Sequence, residues 1–89
     1  MNYEFDPVKD TTNLGKHGMS LAEADGFEWE TAAIREDVRK PYAEQRFEAT
    51  GLMGERVYVM IYCLRGDATR VISLRKANPR EVKRYVLEN

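Results

Sequence analysis

The sequence predicts an α+β fold in which the helices and an antiparallel sheet come from separate parts of the chain. Two helix N-termini are predicted, at Asp6-Pro7 near the beginning of the sequence and at Asn78-Pro79 near its end. A capping side chain followed by proline is typical of a helix N-terminus. Between them, residues 31–77 are rich in β-branched and aromatic residues interrupted by turn signals, which indicates strands. These observations predict the order β-αα-ββββ-α in one domain, residues 1–89.

The first elements are a short strand and two helices. Tyr3-Glu4-Phe5 is expected to form the strand, and the first helix should run from Pro7 to about Lys16. Gly18 suits the left-handed residue that ends a helix. Ser20-Leu21-Ala22-Glu23 is a capping box, which predicts the start of the second helix.

About four strands are expected between Thr31 and Ala77. Lys40-Pro41 should separate the first two strands, residues 51–54 should form the next turn, and Gly66-Asp67 should form a compact hairpin link. The strand that contains residues 57–64 has apolar side chains on both faces, so we expect it to be central.

The last helix is predicted from Pro79 to about Leu87. Its N-terminus carries a second capping box, Asn78 with Glu81. Val82, Tyr85 and Val86 recur at helical spacing, so we expect them to dock this helix on the sheet.

Composition excludes several classes of function. The chain has one cysteine, Cys63, which we expect to be a buried, inert thiol. No Cys/His cluster or glycine-rich phosphate loop is present, so we expect no metal and no cofactor. The apolar run 57–64 is too short to span a bilayer. Glu4 and Asp6 stand where a secretory signal would need basic and apolar residues, so we expect a cytoplasmic protein.

Charge is distributed unevenly although the net charge is only −1. Acidic residues dominate up to Glu44 and basic residues dominate afterwards, so an anionic ligand should be steered to the second half. Alternation along residues 70–76 places Ile72 and Leu74 on one face and Val71, Ser73 and Arg75 on the other. If the helices cover one side of the sheet, Arg75, with Arg46 and Arg65, is expected to gather on or beside the other.

Arginine, histidine and tyrosine on such a sheet supply the components of RNA backbone cleavage. Histidine can carry a proton near neutral pH, arginine can clamp a phosphate through two donors, and tyrosine can stack on a base. Simpler roles stay open for the same residues. Lys16 and His17 suit a helix C-terminus, Arg65 and Arg75 can form ordinary salt bridges, and Tyr85 can pack in the core.

The chain also resembles BrnT, a family of ribonuclease toxins from bacterial type II toxin–antitoxin pairs. The matching pieces, in chain order, are Phe5-Asp6-Pro7 with Lys9 and Asn13; Lys16-His17-Gly18 with Ser20 and Ala24; Glu44, Arg46 and Gly51; Tyr62 and Arg65; Arg70-Val71-Ile72-Ser73-Leu74-Arg75-Lys76-Ala77; Glu81 and Tyr85. The resemblance implies a compact RelE-like fold and metal-independent RNA cleavage that slows translation. It also implies a BrnA-like antitoxin with a ribbon-helix-helix domain, through which the complex would contact promoter DNA.

The resemblance implies seven candidate residues: Lys16, His17, Glu44, Arg46, Arg65, Arg75 and Tyr85. We hypothesise that His17 carries the proton, Arg65 and Arg75 contact the scissile phosphate, and Lys16 contacts the RNA backbone. Arg46 paired with Glu44, and Tyr85, would position the substrate. The rival interpretation is a non-enzymatic interaction module, or an inactivated relative of the toxin that only binds an antitoxin or another partner.

Overall fold

The computed structural model describes all 89 residues as a five-stranded sheet with two α-helices and one 3₁₀ helix. The elements are β1 (Asn2–Glu4), α1 (Pro7–His17), the 3₁₀ helix (Leu21–Gly26), β2 (Ala33–Glu36), β3 (Phe47–Met53), β4 (Arg56–Arg65), β5 (Ala68–Lys76) and α2 (Pro79–Glu88). The α+β class is therefore confirmed.

The sheet has the strand order β1-β5-β4-β3-β2, and β4 is central as predicted. Strands β2 to β5 form an antiparallel meander, whereas β1 pairs in parallel with the first part of β5. Gly66 has a φ of 62° in the expected hairpin link between β4 and β5. No helix is both long enough and apolar enough to span a bilayer.

The predicted turn at residues 51–54 is wrong in its first part, because β3 continues to Met53 and the chain turns at Gly54 with a φ of 64°. Gly51 instead lies inside β3. A Cβ atom at this position would come within 2.8 Å of Cζ of Phe27, so glycine is needed for close packing rather than for a turn.

The first helix has the predicted ends. The Asp6 carboxylate accepts a hydrogen bond of 2.8 Å from the Val8 amide, and Gly18 has a φ of 70° and donates its N–H to Leu14. The second helix differs from the regular helix that the sequence predicts, because it is a 3₁₀ helix of six residues, although it begins with the predicted capping box. It is short because Phe27 is already extended and bridges to Met53 of β3.

The core lies on the sheet face that α1 and the 3₁₀ helix cover. It consists of nine buried residues: Met19, Leu21, Ala24, Phe27, Ala49, Met60, Tyr62, Val71 and Leu74. The opposite face carries α2, which contacts β3. Helices therefore cover both faces, and we call these the core face and the α2 face.

A β-bulge in β5 breaks the alternation expected from the sequence. Ser73 pairs with Ile61, but Val71 pairs with Tyr62, so Ile72 is the extra residue. As a result Val71 and Leu74 both point into the core, and the prediction that Val71 shares a face with Ser73 and Arg75 is wrong. A strict period of two cannot reveal an inserted residue.

The last helix begins at Pro79 as predicted, and two of the three residues expected to pack on the sheet do so. Tyr85 is buried and Val82 is half-buried, but Val86 is 63% exposed, so its predicted contact with the sheet is wrong. Cys63 is buried as expected.

Candidate active site

A cavity of about 300 Å³ lies between α1 and the bulged part of β5. We call it the α1–β5 cavity. Its lining residues are Val8, Lys9, Thr12, Asn13, Lys16, His17, Ile72 and Ser73. Two lysines and the histidine line this cavity and no carboxylate does, so its electrostatic character suits an anion.

Asn13 attaches α1 to the edge of β5. Strand β1 pairs with β5 only as far as Arg70, so the backbone of Leu74 lacks a strand partner on that side. The Asn13 side chain replaces this partner: Nδ2 donates to the Leu74 carbonyl at 2.8 Å, and Oδ1 accepts from the Leu74 amide at 3.0 Å. Nδ2 also donates to the Met19 carbonyl at 3.0 Å. His17 lies one helical turn beyond Asn13, on the same side of α1, and lines the α1–β5 cavity together with Ser73.

The pKa of His17 is lowered from its ordinary value of 6.5. Partial burial is the main cause, and the positive charges of Arg75 and Lys16 add to it. A helix C-terminus alone would favour the charged imidazole. The lowered pKa instead favours neutral His17 near pH 7, which can accept a proton.

Arg75 points to the α2 face and is held by α2. Its Nη1 and Nη2 donate to the two carboxylate oxygens of Glu81 at 2.7 and 2.8 Å. This pairing raises the pKa of Arg75 and lowers the pKa of Glu81 to about 2. Glu81 also accepts from the Asn78 amide as part of the α2 capping box. The predicted salt bridge is therefore present, and it fixes the guanidinium while Nε makes no hydrogen bond to the protein.

Arg65 does not join His17 and Arg75. It lies opposite Ala68, whereas Arg75 lies opposite Val59, six residues earlier on β4. At about 3.3 Å per residue, this separates the two arginines by roughly 20 Å along the sheet. The expected gathering of Arg65 with Arg75 is wrong, because alternation gives the face of a residue and not its position along the strand.

Glu44 pairs with Arg65 rather than with Arg46. Arg65 Nη2 donates to Glu44 Oε1 at 2.8 Å, and this hydrogen bond lowers the pKa of Glu44 and raises that of Arg65. Arg46 instead stacks on Tyr42, with its guanidinium carbon 4.2 Å from the ring centroid. Its buried Nε has no hydrogen-bond partner. The expected Arg46–Glu44 positioning pair is therefore replaced by two separate contacts.

Tyr85 lies outside the α1–β5 cavity. Its ring is buried under α2, and its hydroxyl donates to Thr31 Oγ1 at 3.2 Å. This position matches the simpler of its two expected roles, packing in the core.

A second cavity, of about 400 Å³, lies on the α2 face, and Arg75 lines it. We call it the arginine cleft, and its lining residues are Arg35, Glu36, Asp37, Val38, Arg39, Glu48, Arg75, Glu81 and Arg84. Sequence patterns do not reveal this cleft, because its arginines come from β2, the β2–β3 connection, β5 and α2. Only the excess of basic residues in the second half hints at such a site. No three His, Cys, Asp or Glu side chains come together anywhere as a metal site would require.

Comparison with known proteins identifies the family. No curated protein gives a significant match to the chain. A family model described as "Ribonuclease toxin, BrnT, of type II toxin-antitoxin system" matches residues 5–81. This range includes the whole α1–β5 cavity and both partners of the Arg75–Glu81 pair, but not Arg84 or Tyr85. The description implies RNA as the substrate and an antitoxin as the partner. The chain therefore belongs to the BrnT family of ribonuclease toxins of type II toxin–antitoxin systems.

Proposed function

We propose that this protein is an endoribonuclease that cleaves RNA at the α1–β5 cavity by attack of a 2′-hydroxyl on the adjacent phosphate. The observation that carries the proposal is a cavity lined by Lys9, Lys16 and His17 without any carboxylate. Arg75 does not line this cavity, but it lies two residues beyond Ser73 on the same face of β5, and its positive charge contributes to the lowered pKa of His17. The cavity offers cations and a proton acceptor but none of the carboxylates through which proteins usually bind Mg²⁺, which supports a mechanism without metal.

In this mechanism neutral His17 accepts the proton of the 2′-hydroxyl as its oxygen forms a bond to phosphorus. The bond from phosphorus to the 5′-oxygen breaks, and that oxygen takes a proton from water. The products are a 2′,3′-cyclic phosphate and a 5′-hydroxyl. Arg75 stabilises the negative charge that develops on the phosphate oxygens, and Lys16 contacts the RNA backbone.

The remaining predicted residues receive more distant roles. Arg65, held by Glu44, would contact the RNA strand some distance from the scissile phosphate. Arg46 and Tyr85 would act through the packing of the β2–β3 connection and of α2. These assignments follow the positions of the side chains, none of which lines the α1–β5 cavity.

At the level of the cell, we propose that the whole chain is one toxin domain of RelE-like fold that slows translation in the cytoplasm. A BrnA-like ribbon-helix-helix antitoxin would neutralise it, and the complex would reach promoter DNA only through the antitoxin.

The direct test is cleavage of RNA by purified protein in excess chelator. His17→Ala should lower the cleavage rate by roughly 10²–10⁴-fold, because it removes the proton acceptor. Lys83→Ala, at an exposed α2 residue that lines neither cavity, should leave the rate unchanged. The rate of wild type should fall as the pH drops through the lowered pKa of His17, because the protonated imidazole cannot accept a proton.

Intact RNA at high protein concentration, together with tight binding of an antitoxin, would favour the non-enzymatic module instead. Equal cleavage by wild type and His17→Ala would refute the proposed site while leaving the family assignment in place.

A further inference from the structure

The arginine cleft contains more charge than the proposed cleavage step needs. Arg35, Arg39 and Arg84 line it together with Arg75, and none of the four lines the α1–β5 cavity. The same cleft contains four carboxylates, from Glu36, Asp37, Glu48 and Glu81, so its formal charge is balanced. Which charged groups a ligand would meet therefore depends on how far each side chain is exposed.

Three of the four carboxylates, those of Asp37, Glu48 and Glu81, are mostly buried and form the base of the cleft. The guanidinium groups and the exposed Glu36 form its rim. The Asp37 side chain is 2% exposed and that of Glu48 16%, whereas Arg39 is 64% and Arg35 52% exposed. Asp37 is held by Arg39 through hydrogen bonds of 2.8 and 2.9 Å, which lower its pKa to about 2. A buried anion beneath an exposed cation orients the cation outward, so the rim presents positive charge.

The rim arginines keep free donors. Arg35 approaches Glu48 at 3.5 Å, and Arg84 approaches Glu88 at 3.8 Å and Glu48 at 3.9 Å. Neither arginine side chain makes a hydrogen bond to the protein. Arg39 uses Nε and Nη2 on Asp37, which leaves Nη1 for a ligand. Arginine presents its donors in a planar fork that matches phosphate oxygens.

We propose that the arginine cleft is a second phosphate-binding subsite, which holds the RNA backbone beside the phosphate that is cleaved at the α1–β5 cavity. The inference rests on the proposed function, since it takes the α1–β5 cavity as the place of cleavage. It assigns Arg35, Arg39 and Arg84 as RNA-binding residues. A phosphodiester is favoured over an acidic protein segment because the two cavities adjoin along β5: Ser73 lines the α1–β5 cavity, and Arg75, two residues later on the same face, lines the cleft.

The test is the affinity of a short, fluorescently labelled 2′-O-methyl RNA, measured by anisotropy over a range of salt concentrations. The methyl group blocks the nucleophile, so binding is measured whether or not the protein cleaves RNA. The test variant is Arg35→Gln/Arg84→Gln, which removes neither partner of the buried Asp37–Arg39 pair. Arg56→Gln is the matched control, because Arg56 is an exposed arginine that alternates onto the core face of β4.

The double variant should bind the RNA at least about fivefold more weakly, and the slope of log K against log[salt] should become shallower by about 0.7 for each phosphate that the protein no longer neutralises. Arg56→Gln should bind like wild type. Each single variant, Arg35→Gln or Arg84→Gln, should give part of the effect, so the test does not depend on the double variant being stable.

Binding by the double variant with wild-type affinity and salt slope would overturn the inference, even if cleavage depends on His17. Loss of binding to polyglutamate without loss of RNA binding would also overturn it, and would assign the cleft to an acidic protein segment. Loss of RNA cleavage in His17→Ala is a separate result that tests only the proposed function.

Discussion

Asn13→Ala is expected to be among the most destabilising single substitutions in α1. Asn13 is 3% exposed and makes three hydrogen bonds, to the carbonyls of Met19 and Leu74 and from the Leu74 amide. Alanine leaves these three backbone groups buried without partners. Each such group costs about 1–3 kcal/mol, less for a carbonyl that can recruit water. The expected loss in the free energy of unfolding is therefore about 3–5 kcal/mol, out of a total of about 5–15 kcal/mol for a domain of this size.

The assay is urea denaturation followed by circular dichroism, with the midpoint falling and the m-value unchanged. Thr11→Ala is the control, since its hydroxyl bonds the Pro7 carbonyl at an exposed position and its loss should cost less than about 1 kcal/mol. A loss below about 1 kcal/mol for Asn13→Ala would refute the reasoning that this side chain replaces a strand.

Asn13→Asp tests the accepting oxygen of this side chain apart from its donating amino group. Aspartate keeps an oxygen that can accept from the Leu74 amide, but it turns a second carboxylate oxygen towards the carbonyls of Met19 and Leu74. Burial and these carbonyls should raise the pKa of the new carboxyl, so the penalty should be largest at neutral pH and should shrink as the pH falls. Absence of this recovery at low pH would show that α1 has moved off β5.

Two further predictions concern packing and acid stability. Gly51→Ala should destabilise the fold by about 1–3 kcal/mol in urea denaturation, because the new methyl group would overlap the Phe27 ring. The control is Gly15→Ala, which lies in open space on α1 and should stabilise the fold by about 0.5–1 kcal/mol. Equal effects of the two substitutions would contradict the close contact between Gly51 and Phe27. The pKa of Glu81, about 2 against an ordinary 4.5, should contribute roughly 2 kcal/mol of stability after allowance for solvent. This contribution is present above about pH 4.5 and is lost as the pH falls towards 2. Glu81→Gln should remove that part of the pH dependence in stability curves, since its Arg75 partner would then face a neutral amide, and an unchanged curve would argue against the pair.

The ends of the helices could be predicted from the sequence because local chemistry determines them. Asp6 and Asn78 accept the orphan amides of α1 and α2, and Gly18 adopts the left-handed conformation that stops α1. Each signal needs only residues within one helical turn. The hairpin at Gly66 is local in the same sense.

The bulge and the strand register could not be predicted because they depend on distant residues. Ile72 is displaced from the ladder so that Val71 and Leu74 can both enter the core, and Asn13 reaches Leu74 across 61 positions of sequence. The sequence therefore identifies which side chains are basic, but not where along the strands they lie relative to one another. Arg65 and Arg75 share a type and a predicted site, although the register holds them at opposite ends of β4 and β5.

In the Arg75–Glu81 pair, the capping role of Glu81 could be predicted from the sequence, but the position of Arg75 against it could not. The sequence predicts Glu81 only as the capping residue of α2, and one of its oxygens does accept the Asn78 amide. Both oxygens also bind Arg75, so the start of α2 and the position of the guanidinium are fixed by one carboxylate. Arg75 lines the cleft together with three more arginines, and it follows Ser73 of the α1–β5 cavity by two residues on the same face of β5. In the proposed arrangement an RNA strand that reaches both cavities would run past this guanidinium, and the rigid attachment of Arg75 would hold the phosphate in one place while neutral His17 removes the proton.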